Sequence, residues 1–221
     1  MGTLLNRRQF LNTMGLGAAW LMAPELSAAY SSLKKKPNFV FILIDDMGWS
    51  DLACYGNQFH ETPNIDNLAR KGMRFTDAYA ACPVCSPTRA SIVAGQYPAR
   101  VGITDFIRGH WRPYEKLRVP INRQQHLPLE SVTFAEALKS AGYVSGAFGK
   151  WHLGGKPYSP EHQGFDRVAS GVRNLNDKQV TGFTDCAMKF IGDNKNKPFF
   201  LYLAHHTVHI PLQAPRELIE K

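Results

Sequence analysis

Asn38-Phe39-Val40-Phe41-Ile42-Leu43-Ile44 is a continuous apolar run that breaks off abruptly at Asp45-Asp46. A strand with water on one face alternates apolar and polar residues, whereas a strand covered on both faces does not. The run is therefore predicted to be a buried strand of a parallel sheet, and parallel strands need crossover connections. The rest of the chain supplies them. Residues 62–72 open with Thr62-Pro63 and close with Gly72, the start and stop signals of a helix. Residues 131–142 read as a second helix with a glycine stop, and residues 181–193 as a third. Residues 143–148 and 198–204 repeat the short buried strand, and residues 73–80 are expected to be strand or extended chain. This alternation predicts an α/β domain with a mainly parallel sheet and helices on both faces. The strand at 199–204 is expected to be the last of the sheet, an apolar edge. Residues 104–130, with His110, Trp111, Arg112 and several prolines, read as an irregular excursion over the ligand-binding end.

In sheets of this kind ligands bind beyond the carboxyl ends of the strands. Three polar clusters fall there. Asp45-Asp46 offers hard oxygen ligands for Ca²⁺ or Mg²⁺, although Asp45-Asp46-Met47-Gly48 also has turn chemistry. Gly149-Lys150-Trp151-His152-Leu153-Gly154 brings a cation and an imidazole behind the second run. Its plain alternative is a surface lysine and a packing histidine. His205-His206-Thr207-Val208-His209-Ile210-Pro211 follows the third run. His60, His110, His126 and His162 are read as ordinary polar residues.

A fourth cluster is Cys85-Ser86-Pro87-Thr88-Arg89, followed by the small-residue stretch Ala90 to Gly95. Pro87 suits a first helical turn, where its missing N–H costs nothing. The spacing predicts a helix over roughly 88–94 with Ser86 or Cys85 at its N-cap. Its positive end would then point at position 85 and favour an anion. Arg89 adds a rigid, permanently charged donor fork. Other readings of the residues are a buried cysteine before an ordinary helix, or a Cys82-x-x-Cys85 redox or zinc pair. Cys54 and Cys186 lie far away in sequence.

Together these motifs resemble the type I sulfatases, whose signature is Cys-x-Pro/Ala-x-Arg before a small-residue helix. Ile44-Asp45-Asp46-Met47-Gly48-Trp49 and Gly149-Lys150-Trp151-His152-Leu153-Gly154 match the family in spelling, and all four motifs occur in its order over residues 36–215. The resemblance implies an alkaline-phosphatase-like α/β sandwich. It implies that Cys85 is oxidised after synthesis to formylglycine, whose hydrate attacks sulfur with one hydroxyl and eliminates sulfate with the other. Asp45, Asp46 and residue 85 would bind a divalent cation, Ca²⁺ rather than Mg²⁺ by preference. Arg89 would orient the formylglycine, Lys150 bind a sulfate oxygen, His152 contact the formylglycine hydroxyl and His209 protonate the leaving alcohol. His205 and His206 would be structural, or one of them an adventitious metal ligand. The implied substrates are aryl sulfates or sulfated sugars. The implied partner is a formylglycine-generating or anaerobic sulfatase-maturating enzyme. A phosphatase or phosphodiesterase of the same superfold is the alternative enzyme, and Cys85 with Pro87 and Arg89 argues against it. The non-enzymatic alternatives are an inactive truncated product or a metal-binding module built from Cys82, Cys85 and the histidines.

The sequence departs from the family in three places. The Asp-Asn-Gly segment that completes the family's metal site is missing, since Asp193-Asn194 precedes a strand and Lys195 follows it. A later lysine is missing too, and Thr88 stands where many members have serine. The chain is accordingly expected to be the N-terminal portion of a longer sulfatase, with its catalytic part at 37–221 and a linker at 30–36. Residues 1–29 read as an export signal. Arg7-Arg8 precedes the apolar stretch 14–23, and Ser27-Ala28-Ala29 offers a cleavage site. A twin-arginine signal is favoured over a plain secretory one, which places the protein in the periplasm or outside the cell and makes the export machinery a partner. The formal net charge is +8, but no nucleic-acid motif accompanies it.

Overall fold

A computed structural model describes residues 36–109, 116, 122–171 and 177–221. The export-signal reading and the cluster at 110–112 lie outside the described residues. Four strands form one parallel sheet: β1 (Phe39–Asp45), β2 (Val144–Gly149), β3 (Arg167–Ala169) and β4 (Phe199–Val208), in the order β1-β4-β2-β3. The helices are α1 (Pro63–Lys71), α2 (Cys85–Ala94), α3 (Pro98–Val101), α4 (Phe134–Ser140), α5 (Val180–Asn194) and α6 (Arg216–Ile219). Single 3₁₀ turns lie at Ala53–Tyr55 and Pro160–Gln163.

The pleat of β4 explains its unbroken hydrophobicity. Phe200, Tyr202 and Ala204 pack with Ala90 and Val93 of α2 and Ala135 of α4. Phe199, Leu201 and Leu203 face the other way, onto Phe183, Ala187 and Phe190 of α5. Helices therefore cover both faces, as the sequence pattern requires. The start of α4 is fixed by a reciprocal cap. Thr133 N–H donates to Glu136 Oε2 at 2.8 Å, and Glu136 N–H donates to Thr133 Oγ1 at 3.2 Å.

Several expectations are corrected. β4 is not an edge but the centre, paired with β1 on one side and β2 on the other. The edges are β1 and β3, and β1 is not the buried strand expected, with Phe39, Val40 and Ile42 43%, 50% and 56% exposed. An apolar run says nothing of lateral order, which the crossover through α5 decides, and at an edge strand such as β1 it does not report burial either. β3 escaped the sequence reading because it is three residues long. It is tied to β2 by Asp166, whose Oδ2 accepts from Ser145 N at 2.9 Å. Residues 73–80 join no ladder, and Met73, Phe75 and Tyr79 are exposed. The described parts of 104–130 are irregular, as expected.

Candidate active site

α2 begins earlier than the sequence suggests. Val84 is its N-cap and contributes no side-chain cap, so Cys85 is the first helical residue and Ser86 the second, and neither is the cap. Pro87 keeps its place in the first turn. The N-terminal amides of this ten-residue helix thus open directly beside Cys85. Thr88 Oγ1 donates to the Cys82 carbonyl at 2.5 Å and folds the preceding loop against the helix. Cys54, Cys82, Cys85 and Cys186 are all free thiols, and Cys85 is half-buried.

Arg89, one turn further on, is almost completely buried at 1% exposure. Its Nη2 donates to Asp45 Oδ1 at 3.0 Å and its Nη1 to the Lys150 carbonyl at 2.7 Å. Nη1 also reaches Tyr202 Oη at 3.4 Å. Lys150 Nζ donates to the other oxygen of Asp45. Burial works to raise the Asp45 carboxyl, but the Lys150 hydrogen bond and the Arg89 charge outweigh it and hold it below its ordinary value. Lys150 is aimed by the strand end. Gly149 has φ +109°, and a Cβ there would lie 1.9 Å from the Ala204 carbonyl oxygen, which Lys150 N–H meets at 2.8 Å. Only glycine permits that approach.

His152 sits in the left-handed region, with φ +58°. Its Nε2 lies 2.6 Å from the Ile107 carbonyl. A carbonyl only accepts, so Nε2 carries the proton and Nδ1 keeps a lone pair. That Nδ1 is buried and has no partner. Burial, and then the charges of Lys150 and Arg89, hold the ring below its ordinary pKa, against the pull of the Ile107 carbonyl and Asp45. The neutral imidazole is thereby favoured over the charged one. Ser86, fully buried, anchors this corner. Its Oγ donates to the His152 carbonyl at 2.9 Å and accepts from Ile107 N at 3.0 Å. Sequence reading gave Ser86 no such role, because the bonds span 66 and 21 residues.

A register shift brings in His209. Ile44 pairs with His205, yet Asp45 pairs with Val208. His206 and Thr207 are the extra residues of this bulge, and a bulge re-aims the side chains next to it. Asp46 and His209 consequently meet, with His209 Nε2 3.6 Å from Asp46 Oδ2. His205 and His206 belong to β4 itself rather than to the loop after it. Burial holds both below the ordinary histidine pKa, and His206 stacks on Phe183 at 5.9 Å.

Asp45, Asp46, Cys85, Thr88 and Arg89 border a single cavity of about 230 Å³. Two strand-end carboxylates on that rim have the donor chemistry of a hard divalent cation, and the Asp46 side chain is 56% exposed. Among the described residues no three His, Cys, Asp or Glu side chains converge on one point.

A parallel sheet covered on both faces, with its polar clusters at the carboxyl ends of the strands, gives the chain the alkaline-phosphatase-like fold. Residues 37–221 match the family model described as Sulfatase, and the chain belongs to that family. Arylsulfatase A of Homo sapiens is 44% identical over 242 residues, covering 88% of this chain and 45% of that protein. N-acetylgalactosamine-6-sulfatase of Canis lupus familiaris is 32% identical, covering 95% of this chain and 44% of that protein. A solved structure in complex with its substrate D-glucosamine-2-N,6-O-disulfate aligns with TM-score 0.60 at 30% identity, over 80% of this chain and 35% of that one. The chain spans less than half the length of each of these relatives.

Proposed function

We propose that the protein is a sulfuric ester hydrolase, converting R–O–SO₃⁻ and water to R–OH and sulfate, with residue 85 as nucleophile after Cys85 becomes formylglycine. The observation that carries this reading is the position of Cys85, in the first turn of α2 on a cavity rim shared with Asp45, Asp46 and Arg89. Formylglycine, when present, supplies a hydrated aldehyde with one hydroxyl for displacement and a second for release. Asp45 and Asp46 would hold a divalent cation, Ca²⁺ in preference to Mg²⁺, and that ion supplies positive charge toward the sulfuryl oxygens.

The chain's own side chains carry the remaining work. Arg89 and Lys150 fix two positive charges around Asp45 and exceed that carboxylate's own charge by one, which favours an anionic ester beside them. His152 Nδ1 takes the proton whose loss frees sulfate. His209, with a proton on each ring nitrogen, gives the one on Nε2 to the departing alcohol and keeps the one on Nδ1. Sulfated saccharides are the proposed natural substrates, supported by a relative named for N-acetylgalactosamine-6-sulfate chemistry and by a neighbour bound to a glucosamine disulfate. The proposed partners are the maturation enzyme that oxidises Cys85 and the export machinery reading Arg7-Arg8, with a periplasmic or extracellular destination.

The test compares p-nitrophenyl sulfate with p-nitrophenyl phosphate, with and without chelator, on the intact protein as its native gene encodes it. Turnover of the sulfate faster by orders of magnitude, and abolished by the chelator, is the expected result. A preference for the phosphate would transfer the site to the phosphatase reading. Full activity in chelator would remove the cation.

A further inference from the structure

Lys178 belongs to none of the sequence motifs, yet it touches the turn that carries His209. Its Nζ donates to the His209 carbonyl and, at 2.8 Å, to the Pro211 carbonyl. The residue sits just before α5 in a strained conformation. Lys178 and Gln179 have φ +54° and +69°, left-handed values that non-glycine residues adopt only when their surroundings dictate it. One anchor lies beside them, where buried Asp177 accepts from Thr181 N–H at 2.8 Å. The other is the ammonium of Lys178 itself.

The turn itself holds a backbone bond from His209 N–H to the His206 carbonyl at 3.2 Å, but its apolar side chains lie in the open. Ile210 and Leu212 are 73% and 77% exposed. The His209 ring is defined locally, because Nδ1 lies 2.6 Å from the Ile210 carbonyl and must donate to it. Nε2 is left facing Asp46. On its far side His209 joins Lys178, Val208, Leu212 and Ile219 in lining a second, largely apolar cavity of about 430 Å³. His209 thus lines the second cavity while its Nε2 lies 3.6 Å from Asp46, on the rim of the Cys85 cavity.

We propose that Lys178 is a positioning residue, which clamps the 209–211 turn so that His209 Nε2 stays at the boundary between the sulfate and its leaving alcohol, and that the adjoining cavity receives that alcohol. The inference rests on the sulfatase reading. A lysine suits the task because one ammonium has three donors and can serve two carbonyls from one point. A clamp on a proton donor has a kinetic signature that a mere staple lacks. It matters in proportion to how much the leaving group needs the proton.

The test uses the intact protein and a series of aryl sulfates, from p-nitrophenyl sulfate to phenyl sulfate. Lys178→Met is expected to lower kcat on phenyl sulfate about tenfold more than on p-nitrophenyl sulfate, with KM little changed. Lys178→Arg, which keeps donors for both carbonyls, restores most of the difference. Equal losses on all substrates, or none, would overturn the inference. A second readout needs no turnover. In ¹⁵N-histidine spectra the wild-type His209 Nδ1 is expected to hold its proton whether or not Nε2 carries one, and to lose that fixed protonation in Lys178→Met while the His152 signals stay fixed. An unchanged His209 signal overturns the clamp. Lys178→Gln, which keeps a donor amide but loses the charge and reach of the ammonium, serves in both assays if the Met variant fails to fold. Should the wild type cleave no sulfate ester while the His209 spectrum still responds, the sulfatase reading falls and the clamp on the ring remains.

Discussion

Arg89 and Asp45 form an ion pair across the start of α2 and the end of β1, Nη2 to Oδ1 at 3.0 Å, with side chains only 2% and 4% exposed. The pair fixes the helix that carries Cys85 against the strand that carries both acidic residues. Removing the guanidinium would strand a buried carboxylate with Lys150 alone. Arg89→Met is therefore expected to cost about 3–5 kcal/mol, read as a lower urea midpoint at unchanged slope. A loss below about 1 kcal/mol would show that the pair does not hold α2 in place.

Acid should weaken the fold in two stages. His152, His205 and His206 are all held below the ordinary histidine value of 6.5, in each case by burial first. The unfolded chain then binds protons that the folded chain refuses. Stability is full above 6.5 and falls as the pH drops toward the folded values. Asp45 adds a lower stage, because its folded value lies under 3.8, and stability present above that pH is lost below it. Urea midpoints from pH 8 to pH 5 should decline, and His152→Gln should flatten the slope. A midpoint constant over that range would contradict the buried, neutral histidines.

Ser86→Ala removes a hydroxyl that satisfies Ile107 N–H and the His152 carbonyl together. Two backbone groups would be left unpaired in the interior, at an expected cost of about 1–3 kcal/mol. Turnover should fall as well, since the same bonds hold the backbone of His152. Calorimetry and steady-state kinetics on one preparation check both effects, and a variant with wild-type stability would refute this anchoring.

Much of this arrangement was legible in the sequence, and its gaps have physical causes. The run 38–44, stopped by two acids, announced β1 and the position of Asp45 and Asp46 at its end. Residues 131–142 announced α4, though not its cap at Thr133 and Glu136. The lateral order of strands was hidden, because β4 and β1 are equally apolar and only the crossovers place one at the centre. The bulge at His206 and Thr207 was hidden too. It arises from a slip between two strands far apart in the chain, and it decides that His209 rather than His205 reaches Asp46. Lys178 and Ser86 act through bonds to distant backbone carbonyls and amides, which leave no local pattern.

The most direct test of the central claim is the mass of the tryptic peptide spanning residues 75–89, taken from active protein of the native host. It contains Cys82 and Cys85, so one thiol serves as an internal standard for the other. Conversion of Cys85 to formylglycine is expected to make the peptide about 18 Da lighter than the dithiol form, with a single alkylatable cysteine at position 82. Fully active protein in which both thiols alkylate would contradict the formylglycine nucleophile.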